Sequence, residues 1–163
     1  MTSKSSNPPI LSKGTEVDKF VIRKHIGHGG YGEIYTVLNR DDDNLYAMKT
    51  EMLSAPKRGL RDEINFLKGL RGCLFFPQII AYGETSDFRW LAMELLGGAL
   101  SQIVRILPSE RLSKHTATYV AKWTLRAIQA CHQRNIIHRD IKPANFLVRP
   151  NKDYPIVLID FGL

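Results

Sequence analysis

The sequence predicts an α+β fold in two parts, an antiparallel five-stranded sheet with one main helix followed by a mainly helical part. Three observations carry this. Short runs rich in β-branched and aromatic residues crowd residues 19–96, helical spacing takes over after Gly97 and Gly98, and a glycine-dense segment joins the first two strands. The boundaries that follow are a disordered tail over 1–18, a strand-rich part over 19–96 and a helix-rich part over 97–163.

In chain order, "KFVIRKHI" (19–26) reads as a strand. "HIGHGGYGEIYTVLN" (25–39) reads as strand, glycine loop and strand. "LYAMKT" (45–50) is a third strand after the acidic turn "RDDDN". Leu60, Ile64 and Leu67 recur at helical spacing, with Gly72 as a stop. A hairpin around "GETSD" completes the five strands within 78–98. Helical segments then cover 100–107 and 115–134, the second aligning Ala117, Val120, Ala121, Thr124, Leu125, Ile128 and Cys131 on one face. "FLV" and "IVLID" (156–160) are short strands on either side of a "RPNKDYP" turn.

Composition excludes several classes. The net charge is +7 over 163 residues, yet no groove-reading or stacking motif accompanies it, so nucleic acid is not expected as a partner. Two cysteines make neither a disulfide framework nor a metal spacing, which suits a reducing, cytoplasmic or nuclear setting. No apolar run has the length of a membrane span, and the first residues do not read as a signal peptide.

The chemistry-bearing residues fall into four groups. Gly27, Gly29 and Gly32, with His28 and Gly30 between them, form G-x-G-x-x-G. A strand rather than a helix follows, which argues against a dinucleotide fold and for a flap whose backbone N–H groups approach phosphates. Lys49 ends an apolar strand as a point charge for α- and β-phosphates, with Glu63 as its carboxylate holder and Asp62 as the neighbouring alternative. "HRDIKPAN" places Asp140 to accept a proton from a hydroxyl, Lys142 to neutralise a phosphoryl group and Asn145 to ligate Mg²⁺. Asp160 ends the last strand as a metal carboxylate. His138 reads as a packing and hydrogen-bonding residue, and His25, His28, His115 and His132 show no metal spacing. Met93 is either core filler or the rear of a nucleotide pocket, with the backbone from Glu94 to Leu96 meeting adenine.

Together these motifs resemble the eukaryotic protein kinase family over residues 20–163, the first half or so of such a domain. The resemblance implies a protein kinase-like fold, with an N-lobe and the first helices and catalytic loop of a truncated C-lobe closing over Mg²⁺ and ATP. It implies that Ile34 lies over adenine, that Ala47, ending the third strand with Lys49, binds the nucleotide, that Leu147 forms the adenine floor and that Met93 is the gatekeeper. Asp140 is then the catalytic aspartate, Asn145 a metal ligand, and Asp160 with Phe161 and Gly162 the metal-binding triplet. Lys142 and Pro143 resemble a Ser/Thr kinase acting on protein hydroxyls. "ELLGG" with "HRDIKPANFLV" is similar to the casein kinase 1 group, including tau-tubulin kinase relatives. Ala144 departs from the acidic or serine residue often found there, which bears on substrate preference. With the later helices absent, the apolar face of the 115–134 helix is expected to be partly bare. It would invite a partner, and the chain alone would have little activity; the alternative is a non-catalytic nucleotide- or partner-binding module.

Overall fold

The computed structural model describes residues 10–29, 32–55, 59–150 and 153–161. Its contacts divide the chain into two compact units, one built from residues up to Arg71 with Gln78–Leu95, the other from Gly72–Pro77 with Leu96 onward.

Among the described residues, the first unit is a six-stranded antiparallel sheet in the order β1-β2-β3-β4-β6-β5, with one helix. β2 (Phe20–Gly29), β3 (Gly32–Asn39), β4 (Leu45–Met52), β5 (Ile79–Glu84) and β6 (Phe88–Glu94) are the five strands expected. The sixth is β1 (Glu16–Val17), which lies within the tail expected to be disordered. It is held there by pairing with Phe20 and Val21, and Val17 is buried at 2% exposure. Residues 1–9 of that tail lie outside the described residues.

Alternation along the strands separates two faces. One buries Phe20, Ile22, Tyr35, Val37, Met48, Trp90 and Ala92 as a single apolar cluster. Phe20 meets Trp90 edge-on, ring centroids 5.7 Å apart. The registers Ile34↔Lys49 and Ala47↔Met93 put those four residues on the opposite face. Helix α1 (Gly59–Gly69) buries Leu60, Ile64 and Leu67 and contacts β4, β5 and β6.

The second unit holds α2 (Leu100–Ile106), α3 (Lys114–His132), a 3₁₀ turn at Pro143–Asn145, and the two-stranded sheet of β7 (Phe146–Val148) and β8 (Ile156–Leu158). Ser113 caps α3, its hydroxyl accepting from Thr116 N at 3.1 Å. Gly72–Pro77 belongs to this unit because Leu158 N donates to Phe75 O at 2.9 Å and Arg149 Nη1 donates to Leu74 O at 2.5 Å. No helix among the described residues is long and apolar enough to cross a membrane.

Part of the predicted face of α3 packs and part is bare, as expected. The helix buries Ala127, Ala130 and Cys131 against the unit and contacts β8, while Ala117, Ala121 and Leu125 are exposed, Leu125 at 66%. Its apolar residues span a wide arc, and the small side chains of Ala127 and Ala130 allow the closest approach, so packing selects that edge of the arc.

Gly32 is fixed by space. A Cβ there would lie 1.7 Å from the carbonyl oxygen of Thr50, whereas a Cβ on Gly27 would meet nothing within 4 Å. Gly32→Ala should therefore lower unfolding stability by about 1–3 kcal/mol, and Gly27→Ala should change it by less than about 1 kcal/mol. Urea unfolding of both variants checks the contrast.

Candidate active site

In the first unit, Lys49 lies at the middle of the sheet and is only 4% exposed. Its Nζ donates to Glu63 Oε2 at 2.5 Å. Asp62, the alternative considered from sequence, lies one residue away and is exposed. What aims α1 so that Glu63 reaches Lys49 is a residue the sequence reading did not single out. Glu51, two residues beyond Lys49 on the same strand and so on the same face, is 1% exposed and accepts from Leu60 N at 3.1 Å near the start of α1. Arg89 pairs with its other oxygen at 3.2 Å, so the buried carboxylate is neutralised.

The glycine-bearing strands run over this lysine. β2 and β3 pair down to Gly29↔Gly32, and a Cβ on Gly29 would come within 3.0 Å of Lys49 Cε and 3.6 Å of its Nζ. The ammonium thus sits beside backbone that carries no side chain, an arrangement that fits phosphate oxygens. Ile34, Ala47 and Met93 share this face, all partly exposed. Glu94 ends β6, and its Oε1 accepts from Gln78 N at 3.0 Å. The His28 imidazole is engaged elsewhere, its Nδ1 lying 2.9 Å from Glu33 Oε1. Gly30 and Gly162 lie outside the described residues.

In the second unit, Asn145 is 4% exposed and connects two chain segments. Its Nδ2 donates to Asp140 O at 2.8 Å and to Asp140 Oδ2 at 2.9 Å. Its carbonyl accepts from Ile159 N at 2.9 Å, so the residue preceding Asp160 is tied to it. These bonds commit the amide nitrogen to Asp140, so the amide oxygen is the atom that could hold a metal. Lys142 Nζ lies 2.7 Å from Asp140 Oδ2, and both side chains are about half exposed. The hydrogen bond from Lys142, then that from Asn145, holds the Asp140 carboxyl below its ordinary value, so it stays ionised at neutral pH.

His138 joins the same two segments from behind. The residue is 3% exposed, Nε2–H donates to Ile159 O at 2.9 Å, and Nδ1 accepts from Asp140 N at 3.3 Å. Desolvation lowers its pKa, outweighing that hydrogen bond and the charges of Asp140 and Asp160. The ring also lies 4.7 Å from that of Phe161, which itself meets Phe76 at 5.4 Å. Asp160 is therefore flanked by two anchored residues, and it and Arg139 both occupy the left-handed region, at φ 56° and 66°. Strain of this kind gathers at sites that hold a side chain in a required direction. Leu147 is half-buried on β7 and bridges to Ala99, and Gly97 N donates to Val148 O at 2.7 Å beside Leu96.

Asn145 and Asp160 offer oxygen donors, and among the described residues no three His, Cys, Asp or Glu side chains make a metal cage. That donor set fits Mg²⁺, which keeps much of its shell as water and phosphate oxygen rather than protein ligands.

Residues 20–163 match the model of the protein kinase domain. A probable serine/threonine-protein kinase of Dictyostelium discoideum is 33% identical over 147 residues, covering 89% of this chain and 30% of that protein. A probable casein kinase I homolog of Encephalitozoon cuniculi is 34% identical over 151 residues, covering 91% of this chain and 46% of its own length. The chain therefore spans less than half the length of either relative.

Two outcomes test this geometry. Glu63→Ala strands a buried ammonium and should cost about 3–5 kcal/mol of stability, much of it recovered in Lys49→Met/Glu63→Leu, as read by urea unfolding. His138, with its pKa depressed in the fold, binds its proton more readily when unfolded. Stability should therefore fall as pH drops below its ordinary value of 6.5. Between pH 7.5 and 5.5 the wild type should lose more of its urea midpoint than His138→Gln does.

Proposed function

Because the chain belongs to the protein kinase family, we propose that it serves ATP-dependent transfer of the γ-phosphoryl group to a Ser or Thr hydroxyl of a protein substrate. The observation that carries this reading is the Asp140 carboxylate held ionised by Lys142 and Asn145, with Asn145 bonded in turn to the residue before Asp160.

Each group takes one task. The backbone around Gly27, His28, Gly29, Gly30 and Gly32 cradles phosphates, and Lys49, kept in place by Glu63, supplies the compact positive charge that α- and β-phosphate oxygens require. Ile34, Ala47, Met93, Glu94, Leu96 and Leu147 receive the adenine. Asn145 and Asp160 hold Mg²⁺, which when bound neutralises and orients the phosphate oxygens. Asp140 accepts a hydrogen bond from the acceptor hydroxyl and then its proton. As a weak base held below its ordinary pKa, it orients the hydroxyl first and takes the proton late. Lys142 lies 2.7 Å from that carboxylate, close enough to neutralise the phosphoryl group in transit.

Lys142 and Pro143 after "HRDI" support Ser/Thr rather than Tyr as acceptor, and the casein kinase I homolog among the relatives supports the casein kinase 1 group. Cys73 and Cys131 are not in a disulfide, which suits a cytoplasmic or nuclear setting. A second reading, a non-catalytic module that binds a partner, draws on Leu125, Ile137 and Ile141, exposed at 66%, 76% and 47% in the second unit.

Phosphate incorporation into casein with Mg²⁺ and ATP separates the two. Transfer by the wild type, reduced about 10²- to 10⁴-fold in Asp140→Asn and similarly in Lys49→Met and Asp160→Asn, is expected. Equal incorporation by wild type and Asp140→Asn would overturn the catalytic reading.

A further inference from the structure

Glu33 follows Gly32 directly on β3 and is 4% exposed, yet it has no part in the chemistry above. A buried carboxylate needs partners, and this one has two imidazoles, one on each oxygen. His25 Nε2 lies 2.6 Å from Oε2, and His28 Nδ1 lies 2.9 Å from Oε1. The three are spread along one carboxylate and do not converge on a point as metal ligands do. Burial opposes the charge on Glu33, but the hydrogen bonds from His25 and His28 outweigh it and keep the carboxyl below its ordinary value.

The arrangement depends on a β-bulge. Residues three apart on a regular strand point to opposite faces. The register shift between His25 and Gly27 sets His25 opposite Tyr35 and His28 opposite Glu33, two residues apart on β3, so both rings reach one face. Lys49 is paired with Ile34, so it lies on the other face. The trio therefore acts on the glycine-bearing strands through their backbone, without touching what Lys49 holds.

We propose that His25, Glu33 and His28 form a clamp across β2 and β3 that tightens on proton uptake and sets the conformation of the glycine-bearing hairpin, and with it nucleotide affinity. The last clause rests on the nucleotide-binding reading above; the clamp itself does not. His25 and His28 expose 34% and 57% of their side chains, so protons reach them from solvent. A neutral imidazole donates to the ionised Glu33 without a charge of its own, whereas an imidazolium brings the opposite charge to the same contact and strengthens it.

Among the described residues, the neighbouring titratable and charged groups are engaged or exposed. On β3, Tyr35 lies edge-on to His25 at 5.3 Å, and its phenol is pushed up by burial and stays neutral. From β4, the Thr50 hydroxyl faces Glu33 O at 3.4 Å, Lys49 is paired with Glu63, and Glu51 with Arg89. On β2, Arg23 and Lys24 are exposed.

The test compares the full chain with Glu33→Gln and with His25→Gln/His28→Gln at pH 7.8 and 6.2. Amide hydrogen exchange, corrected for intrinsic rates, is followed over residues 20–29 and 32–39, and Mg·ADP affinity is titrated in parallel. Wild-type strands should gain protection of about fivefold on acidification, with a parallel gain in affinity relative to either variant, since titration of the nucleotide itself cancels in that ratio. Glu33→Gln keeps both histidines, so a direct attraction between imidazolium and phosphate would leave its pH response intact, whereas the clamp requires its loss. The same exchange ratio in wild type and both variants would overturn the proposal. If no protein binds Mg·ADP at either pH, the nucleotide reading fails, and the exchange ratios still decide the clamp.

Discussion

The ion pair between Lys49 and Glu63 is the constraint around which the first unit is arranged. A charge 4% exposed in the middle of a sheet is tolerable only beside a carboxylate in good geometry, so the helix that carries Glu63 must lie where it does. Glu51 enforces this from the same strand by accepting from Leu60 N, and Arg89 removes the penalty of burying Glu51. Strand β4 thus carries both the charge to be satisfied and the group that steers the helix satisfying it. The sheet register then brings Gly29 over Lys49 and Ala47 beside Met93 with no further device.

The second unit solves a different problem with Asn145. Asp140 and Asp160 are twenty residues apart, and each needs a direction as well as a position. Asn145 gives its amide nitrogen to the first and its carbonyl to the residue before the second, while His138 bonds Ile159 from the other side. Every bond in this set uses a backbone atom or a short side chain, which limits the play between the two carboxylates. The positive φ at Asp160 and Arg139 is the strain accepted in return.

Much of the candidate site was legible because its spacings are local. "HRDIKPAN" lies within one loop and turn, and the alternation around Lys49 and the helical spacing from Leu60 leave little freedom in which side chains share a face. The reading was weaker where a choice depended on a neighbour. Glu16 and Val17 look like tail until β2 is there to pair with them. The arc of α3 that packs could not be chosen from periodicity, because β8 selects the edge bearing Ala127 and Ala130. Gly72–Pro77 follows the first helix in sequence, but bonds from Leu158 and Arg149 draw it into the second unit.

The sequence by itself determined the α+β class, the order of the elements and the residue types that carry charge, because strand alternation, helical period and glycine position act over a few residues. Tertiary structure alone decided which charges meet. Glu51 reaches Leu60 N, and His25 joins His28 on Glu33, though in the sequence the two histidines look incidental. The physical reason in the second case is a single shift of register. A bulge adds one residue to one strand and turns a side chain from one face to the other, and it is set by pairing with the neighbouring strand rather than by the residues it moves.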